Sequence, residues 1–404
     1  MRVTDKAIAT RECTSCQMCA VVCPKEAIKI ALDDDGFFRP FINDESCIDC
    51  GICTKVCYKF DSNLQITSAE ELGQKKLFSA WSKDDTLLKV TTSGGIGDLL
   101  ARQFIKDGYK VVGVAYNDAK IRAEHQIATT KEDTHAFRGS KYIQSYTFNA
   151  FKEIINCDKQ DKYAVFGTPC QIYALNRYAT RKGVRDKFVF IDLYCHGCPS
   201  IHIWKKYQDY IKQKLGISSF EDVRFRSKVR GWGAFDVEVI NHGQTVFKSN
   251  PQENGFYELF FSDQILNEGC HSCKLRGTLE YTDIRMGDFW GKKFLTNQRG
   301  VSGISISTPE GDKFFSEIKN SISYKEEDYS EFLPYQTWSK TYKPNQKIRT
   351  EVLDSLKNPN KDIKDAVQTF HRLQTVKGTI RRHIKNALYY LPLKYTMSLK
   401  RLFS

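Results

Sequence analysis

Eight of the chain's fourteen cysteines fall in two copies of one run before residue 60: Cys13-x-x-Cys16-x-x-Cys19-x-x-x-Cys23-Pro24 and Cys47-x-x-Cys50-x-x-Cys53-x-x-x-Cys57. Thiolates are soft ligands suited to iron–sulfur clusters. This spacing lets one loop wrap three corners of a cube while a distant cysteine closes the fourth, so the chemistry to explain is one-electron transfer. Zinc sites set two short pairs far apart rather than four cysteines in so short a run. Disulfides would suit an oxidising compartment, whereas thiolate ligands fit a reducing one, and a cytoplasmic location follows.

The doubled run is the bacterial two-cluster ferredoxin pattern, in which the fourth cysteine of each run ligates the other cluster. That pattern assigns Cys13, Cys16, Cys19 and Cys57 to one [4Fe–4S] cluster, and Cys47, Cys50, Cys53 and Cys23 to a second. The copies are offset by 34 residues, an internal repeat with pseudo-twofold symmetry. One departure stands out: Tyr58, not proline, follows Cys57. Proline there shapes the turn and is not a ligand.

The 404 residues predict two to four domains at roughly 150 residues each. A hydrophobic content of 41% suffices for an ordinary core. No apolar run approaches the ~18–20 residues of a membrane span, and the N-terminus has no apolar secretory segment. The net charge of +13 is uneven. Residues 1–62 hold 8 Lys/Arg against 10 Asp/Glu, a net of −2, which leaves +15 for the remainder. Residues 361–404 carry 10 Lys/Arg and 2 Asp, a net of +8. Such charge could attract an acidic partner or cofactor. Nucleic acid is not favoured, because no recognised binding module is present.

The elements that must position the thiols are legible in outline. Residues 1–62 read as a ferredoxin-like domain and 63–84 as a polar linker with one short helical stretch. An α/β region over 85–160 contains Ser93-Gly94-Gly95, a helix from Ile96 to Asp107, and a β-branched run at Lys110–Ala115. A second α/β region over 161–335 places strands at Tyr163–Phe166 and Phe188–Leu193, and helices at Gln171–Lys182 and Ile201–Leu215. Phe235–Ile240 and Thr245–Lys248 suggest a hairpin. Residues 336–404 read as a basic helical tail.

Seven segments, TTSGGIGDLL (91–100), RGSKYIQS (138–145), FGTPCQIYALNR (166–177), IDLYCHGCPS (191–200), VRFRSKVRGWG (223–233), GCHSCK (269–274) and TDIRMGDFWG (282–291), appear in one order. Together they resemble the coenzyme F420 hydrogenase/dehydrogenase beta-subunit family. The resemblance implies an α/β flavoprotein domain of that type behind the ferredoxin-like domain, with FAD beside a [4Fe–4S] cluster of its own. It implies that Cys170, Cys195, Cys270 and Cys273 ligate this third cluster, with Cys198 the main rival to Cys195; Cys157 reads as a free cysteine. Spacing alone would leave a zinc site or plain buried thiols as the likelier readings. Ser93, Gly94 and Gly95 are flavin contacts in the resemblance, and glycines at a helix start admit a phosphate. Lys141 and Tyr142 are expected near the flavin as well.

The implied protein is an iron–sulfur flavoprotein oxidoreductase. Electrons would pass between a ferredoxin or redox subunit, the clusters, FAD, and an acidic substrate or a deazaflavin such as F420. Arg224, Arg226, Lys228 and Arg230 alternate as they would along one face of a strand, followed by Trp232. That cationic face makes Arg226 and Arg230 candidate substrate residues, while His196 is a candidate proton donor or a support for the cluster at Cys195. The alternatives are a non-catalytic electron-transfer subunit of a larger complex, or an iron–sulfur sensor or nucleic-acid-binding protein, the last suggested only by the basic charge. The tail Thr379–Phe403 has a basic amphipathic pattern that would suit peripheral membrane contact as well as packing on the protein itself.

Overall fold

The apolar runs Tyr163–Phe166 and Phe188–Leu193 become adjacent parallel strands in the computed structural model. The structure describes residues 1–5 and 11–376, apart from residues 157, 159, 251, 252 and 254, and also residues 378–380 and 383–384. Cys157 and almost all of the basic segment 379–403 therefore lie outside the described residues.

In chain order the strands are β1 (Ile28–Leu32), β2 (Phe38–Ile42), β3 (Lys76–Ser82), β4 (Lys110–Asn117), β5 (Arg122–Ala128), β6 (Ser145–Tyr146) and β7 (Tyr163–Phe166). They continue as β8 (Phe188–Leu193), β9 (Asp222–Ser227), β10 (Asp236–Asn241), β11 (Gln244–Lys248), β12 (Ile284–Asp288), β13 (Ser302–Ile306) and β14 (Ile322–Glu326). The main sheet has nine strands in the order β14-β3-β13-β12-β8-β7-β4-β5-β6. Its centre, β12-β8-β7-β4, is parallel, and antiparallel partners flank it on both sides. Strands buried on both faces read as continuous apolar runs, which is why β7 and β8 were visible in the sequence. β3 was not: it lies within the segment expected as a linker, yet it pairs with both β13 and β14. Its run KLFSAWS mixes polar residues with apolar ones although most of the strand is buried.

The expected helices are present. Ile96–Lys106 buries Ile96, Leu100 and Phe104, one face at helical spacing. Pro169–Lys182 opens with proline at its first turn, and a Thr168/Gln171 capping box closes its N-terminus. The expected hairpin is β10–β11, joined by His242 and Gly243, both at positive φ. Two positive-φ residues are what a tight type I′ turn requires.

The cysteine-rich N-terminal segment forms its own small unit around the antiparallel β1–β2 pair, with short helices Met18–Val21 and Ile52–Lys55. It is tied to the larger sheet by buried polar contacts. Gln17 Oε1 accepts from the backbone N–H of Thr147 (2.9 Å) and Phe148 (3.1 Å). Gln144 donates to the carbonyls of Gly36 (2.8 Å) and Pro199 (3.1 Å). Among the described residues no helix is long and apolar enough to cross a membrane.

Candidate electron-transfer site

The internal repeat has a backbone counterpart. Ser15 and Gln17 in the first run, and Asp49 and Gly51 in the second, all adopt positive φ, at positions 34 residues apart. These left-handed residues curl each loop so that its cysteines face one centre. Cys13, Cys16, Cys19 and Cys57 line one cavity, walled by Met18, Phe38 and Val56. Cys23, Cys47, Cys50 and Cys53 line a second, with Ile28, Ile42 and Ile52. Each cavity thus holds three cysteines of one run and the last of the other. Their environments differ. Burial pushes the Cys16 and Cys19 thiols well up, and the Cys57 thiol up to about 12. Cys50 is exposed, beside Ile48 at 58% exposure, so the second cavity opens to solvent.

A second gathering of thiols forms at the carboxyl ends of the parallel strands, where open α/β sheets place their ligands. Cys170 follows β7, and Cys195 and Cys198 follow β8. Cys270 and Cys273 arrive from the loop between the helix Gly255–Phe260 and β12. Burial first, then the charges of Cys273, Cys270 and Cys195, push the Cys170 thiol up. Burial likewise pushes Cys195 up to about 12. The Asn267 N–H donates to the Cys198 carbonyl at 2.8 Å, which ties the loop after β8 to the loop that carries Cys270. Cys198, expected as the rival of Cys195, thus lies on the loop that packs against the Cys270 loop. The Thr168 hydroxyl lies 3.3 Å from Cys170 Sγ. Arg276, itself buried, donates to the carbonyls of Cys195 (3.1 Å), His196 (2.7 Å) and Lys340 (2.9 Å) and so holds the β8 loop against the Cys270–Cys273 loop.

The two gatherings adjoin. A Cβ at Gly269 would collide with the Glu12 carbonyl oxygen and stand 2.9 Å from that of Cys13. The Cys270 loop and the first run therefore meet backbone to backbone. Asn267 donates to Ser15 Oγ at 3.0 Å, and the Tyr58 hydroxyl lies 3.6 Å from Cys273 Sγ. Cys16, Cys170 and Cys273 pack against one hydrophobic cluster that contains Met18, Val56 and Tyr58. Gly269→Ala is expected to lower stability by about 1–3 kcal/mol through overpacking of this joint. Thermal unfolding should show the loss, and a melting curve like the parent's would contradict the tight joint.

The residues expected at the flavin are brought near one another. Ser140 N donates to Thr92 Oγ1 at 2.8 Å, joining the 91–95 turn to the 138–142 segment. Gly95, at φ +79°, precedes the helix Ile96–Lys106 without any side-chain cap. Gly94 has a packing reason to be glycine: its Cβ would collide with the Ala80 carbonyl oxygen. Ser93 Oγ donates to Val301 O at 3.0 Å. Lys141 turns its ammonium onto the carbonyls of Ala136 (3.0 Å) and Arg138 (2.9 Å). The Tyr142 hydroxyl lies 3.4 Å from Arg226 Nη1.

The open cationic face expected over 223–230 is not formed. β9 ends at Ser227, so Lys228 and Arg230 lie beyond the strand. Arg224 pairs with Glu238 at 3.5 Å, and Arg230 pairs with the buried Asp236. The Arg226 side chain is fully buried against Asp288 and donates to Trp232 O at 2.9 Å. Lys228 donates to the carbonyls of Leu88, Ser93 and Arg299. These cations brace the 88–93 and 299 backbone and the Asp288 loop. Alternation in sequence could not reveal this, because the partners are remote in the chain. His196 is also engaged at both ring nitrogens, by Asp263 at 2.7 Å and Tyr342 at 3.2 Å. Sequence reasoning missed Arg276 and Tyr58. Nothing local marks the first, whereas the missing proline after Cys57 marked the second.

A thiol-lined ferredoxin-like unit docked on the thiol-bearing strand ends of an α/β sheet defines an iron–sulfur electron-transfer protein. Residues 12–59 match the 4Fe-4S dicluster domain profile. Residues 77–152 and 160–331 match the N-terminal and C-terminal profiles of the coenzyme F420 hydrogenase/dehydrogenase beta subunit, and the chain belongs to that family. Among solved structures, a chain of the F420-reducing [NiFe] hydrogenase complex from Methanosarcina barkeri, studied by xenon derivatization, is 20% identical. The match covers 77% of this chain and 92% of that one, with a TM-score of 0.45. No curated protein matches the chain.

Proposed function

We propose that the protein is an iron–sulfur flavoprotein oxidoreductase whose residues would hold two clusters in the N-terminal unit, a third cluster at the strand ends and FAD, so that electrons could pass between them. The observation that carries this reading is the joint between the two thiol gatherings at Gly269, Asn267 and Tyr58. The residues fit the groups. Each of the two cavities presents four cysteines to a [4Fe–4S] cluster. Cys170, Cys195, Cys270 and Cys273 would hold the third, with Cys198 the rival to Cys195 on the loop that Asn267 ties to the Cys270 loop. The uncapped start of the helix Ile96–Lys106 suits a flavin phosphate, since helix N-termini favour anions. FAD, when bound, exchanges two electrons with a hydride partner and one at a time with the clusters.

In this reading the chain's own groups position and insulate. Arg276 offsets thiolate charge at Cys270, Lys228 secures the Ser93 carbonyl, and Arg226, paired with Asp288, faces the Tyr142 hydroxyl. The solvent-facing second cavity is where an electron-transfer protein, a ferredoxin or a redox subunit, would dock. The hydride partner is a deazaflavin of the F420 kind or another ring-bearing acceptor, in a cytoplasmic setting. Anaerobic purification is expected to yield about twelve irons and one FAD per chain, four irons for each of three clusters. Eight irons without flavin would sink the proposal.

A further inference from the structure

We propose that Tyr58 sets the reduction potential of the third cluster by donating a hydrogen bond from its hydroxyl to the Cys273 sulfur. The inference rests on the reading of Cys273 as a ligand of that cluster. Tyr58 stands where the first copy of the run has Pro24, directly after the last cysteine. Its chain is therefore anchored at Cys57 in the first cavity while its hydroxyl reaches the other thiol gathering. Tyr58 is buried, at 6% exposure. Its ring packs edge-on to Tyr173 at 6.2 Å, and Lys59 lies over it at 5.1 Å.

Two acceptors face the hydroxyl, Cys273 Sγ at 3.6 Å and Gly269 O at 3.5 Å. For an oxygen acceptor 3.5 Å is well beyond the usual O–H···O range. Sulfur is larger, so 3.6 Å is a close approach for it. A thiolate also takes the proton more strongly than a neutral carbonyl, because hydrogen bonds to charged groups are the stronger ones. Proline has no such donor, and phenylalanine would fill the space without one.

Adding one electron to a [4Fe–4S] cluster places more negative charge on its sulfurs. A fixed donor stabilises the reduced form over the oxidised one and raises the potential, a lever known for cluster sulfurs. No proton moves: Tyr58 keeps its hydrogen in both states, and the electron comes from the titrant in the assay or from the N-terminal clusters in the protein. The third cluster is thereby favoured as acceptor from its neighbour across the joint.

The test uses the full holoprotein and its Tyr58→Phe variant, purified anaerobically, with iron counted in both. Potentiometric titration followed by electron paramagnetic resonance should show the third cluster's couple, identified by its absence in Cys170→Ala, shifting to a more negative value. The expected change is about tenfold in the reduction equilibrium, about 59 mV for one electron. In the parent protein exchanged into deuterated water, a deuteron coupled to that cluster should be resolved, and it should vanish in Tyr58→Phe. Twelve irons in both proteins with an unmoved potential would overturn the inference, as would a parent cluster with no exchangeable deuteron nearby. A parent with only eight irons would instead defeat the third cluster itself.

Discussion

Cys57→Ala is expected to remove about four of about twelve irons and to leave the cluster of its own run in place. The reason is geometric. Cys57 belongs to the second run by sequence but lines the cavity of Cys13, Cys16 and Cys19. Cys23→Ala should do the converse and affect the cavity of Cys47, Cys50 and Cys53. Both variants lose similar amounts of iron, so spectroscopy must tell them apart. The Cys57 variant loses the buried cluster beside Cys170, so reduction of the flavin through the N-terminal unit should stop. The Cys23 variant loses the solvent-facing cluster, and electrons from an external protein should no longer enter. Loss of the solvent-facing cluster in Cys57→Ala would overturn the crossed arrangement.

Arg285→Met is expected to cost about 3–5 kcal/mol, the penalty for stripping one partner from a buried ion pair. Arg285 and Asp192 are both wholly buried, on the adjacent parallel strands β12 and β8. Arg285 Nε donates to Asp192 at 2.8 Å, and the same guanidinium reaches the carbonyls of Leu275 and Arg276. It therefore holds the segment just after Cys273 onto the strand that leads to Cys195. The thermal midpoint should fall by on the order of 10 °C, and iron at the third site should become labile to chelators. Changing Asp192 to leucine in the same chain should recover much of the stability, because an apolar pair can replace a buried ionic one. If the single variant melts with the parent, the pair is not a structural support.

How much was legible follows from where the information lies. The ferredoxin-like unit was readable because its cysteines sit in one short, repeated run, so spacing alone encodes much of the geometry. Strands β7 and β8 were readable because burial on both faces leaves continuous apolar runs. β3 was hidden, since a strand inserted between β13 and β14 from a distant part of the chain carries no local period of its own. The residues 224–230 misled for the same reason. Their alternation is real, but Glu238, Asp236, Asp288 and the carbonyls of Leu88, Ser93 and Arg299 neutralise them from elsewhere.

By itself the sequence determined that residues 12–59 form a 4Fe-4S dicluster domain, because three cysteines of each run need only that loop's curl to converge. It also determined which residues follow the strand ends, hence where Cys170 and Cys195 must lie. Only the tertiary structure decided that the Cys270 loop meets the first run backbone to backbone at Gly269 and that Tyr58 spans the joint. The Gly269–Glu12 and Tyr58–Cys273 contacts join residues more than two hundred positions apart, and such pairings exist only once the sheet, the loop and the N-terminal unit have packed together.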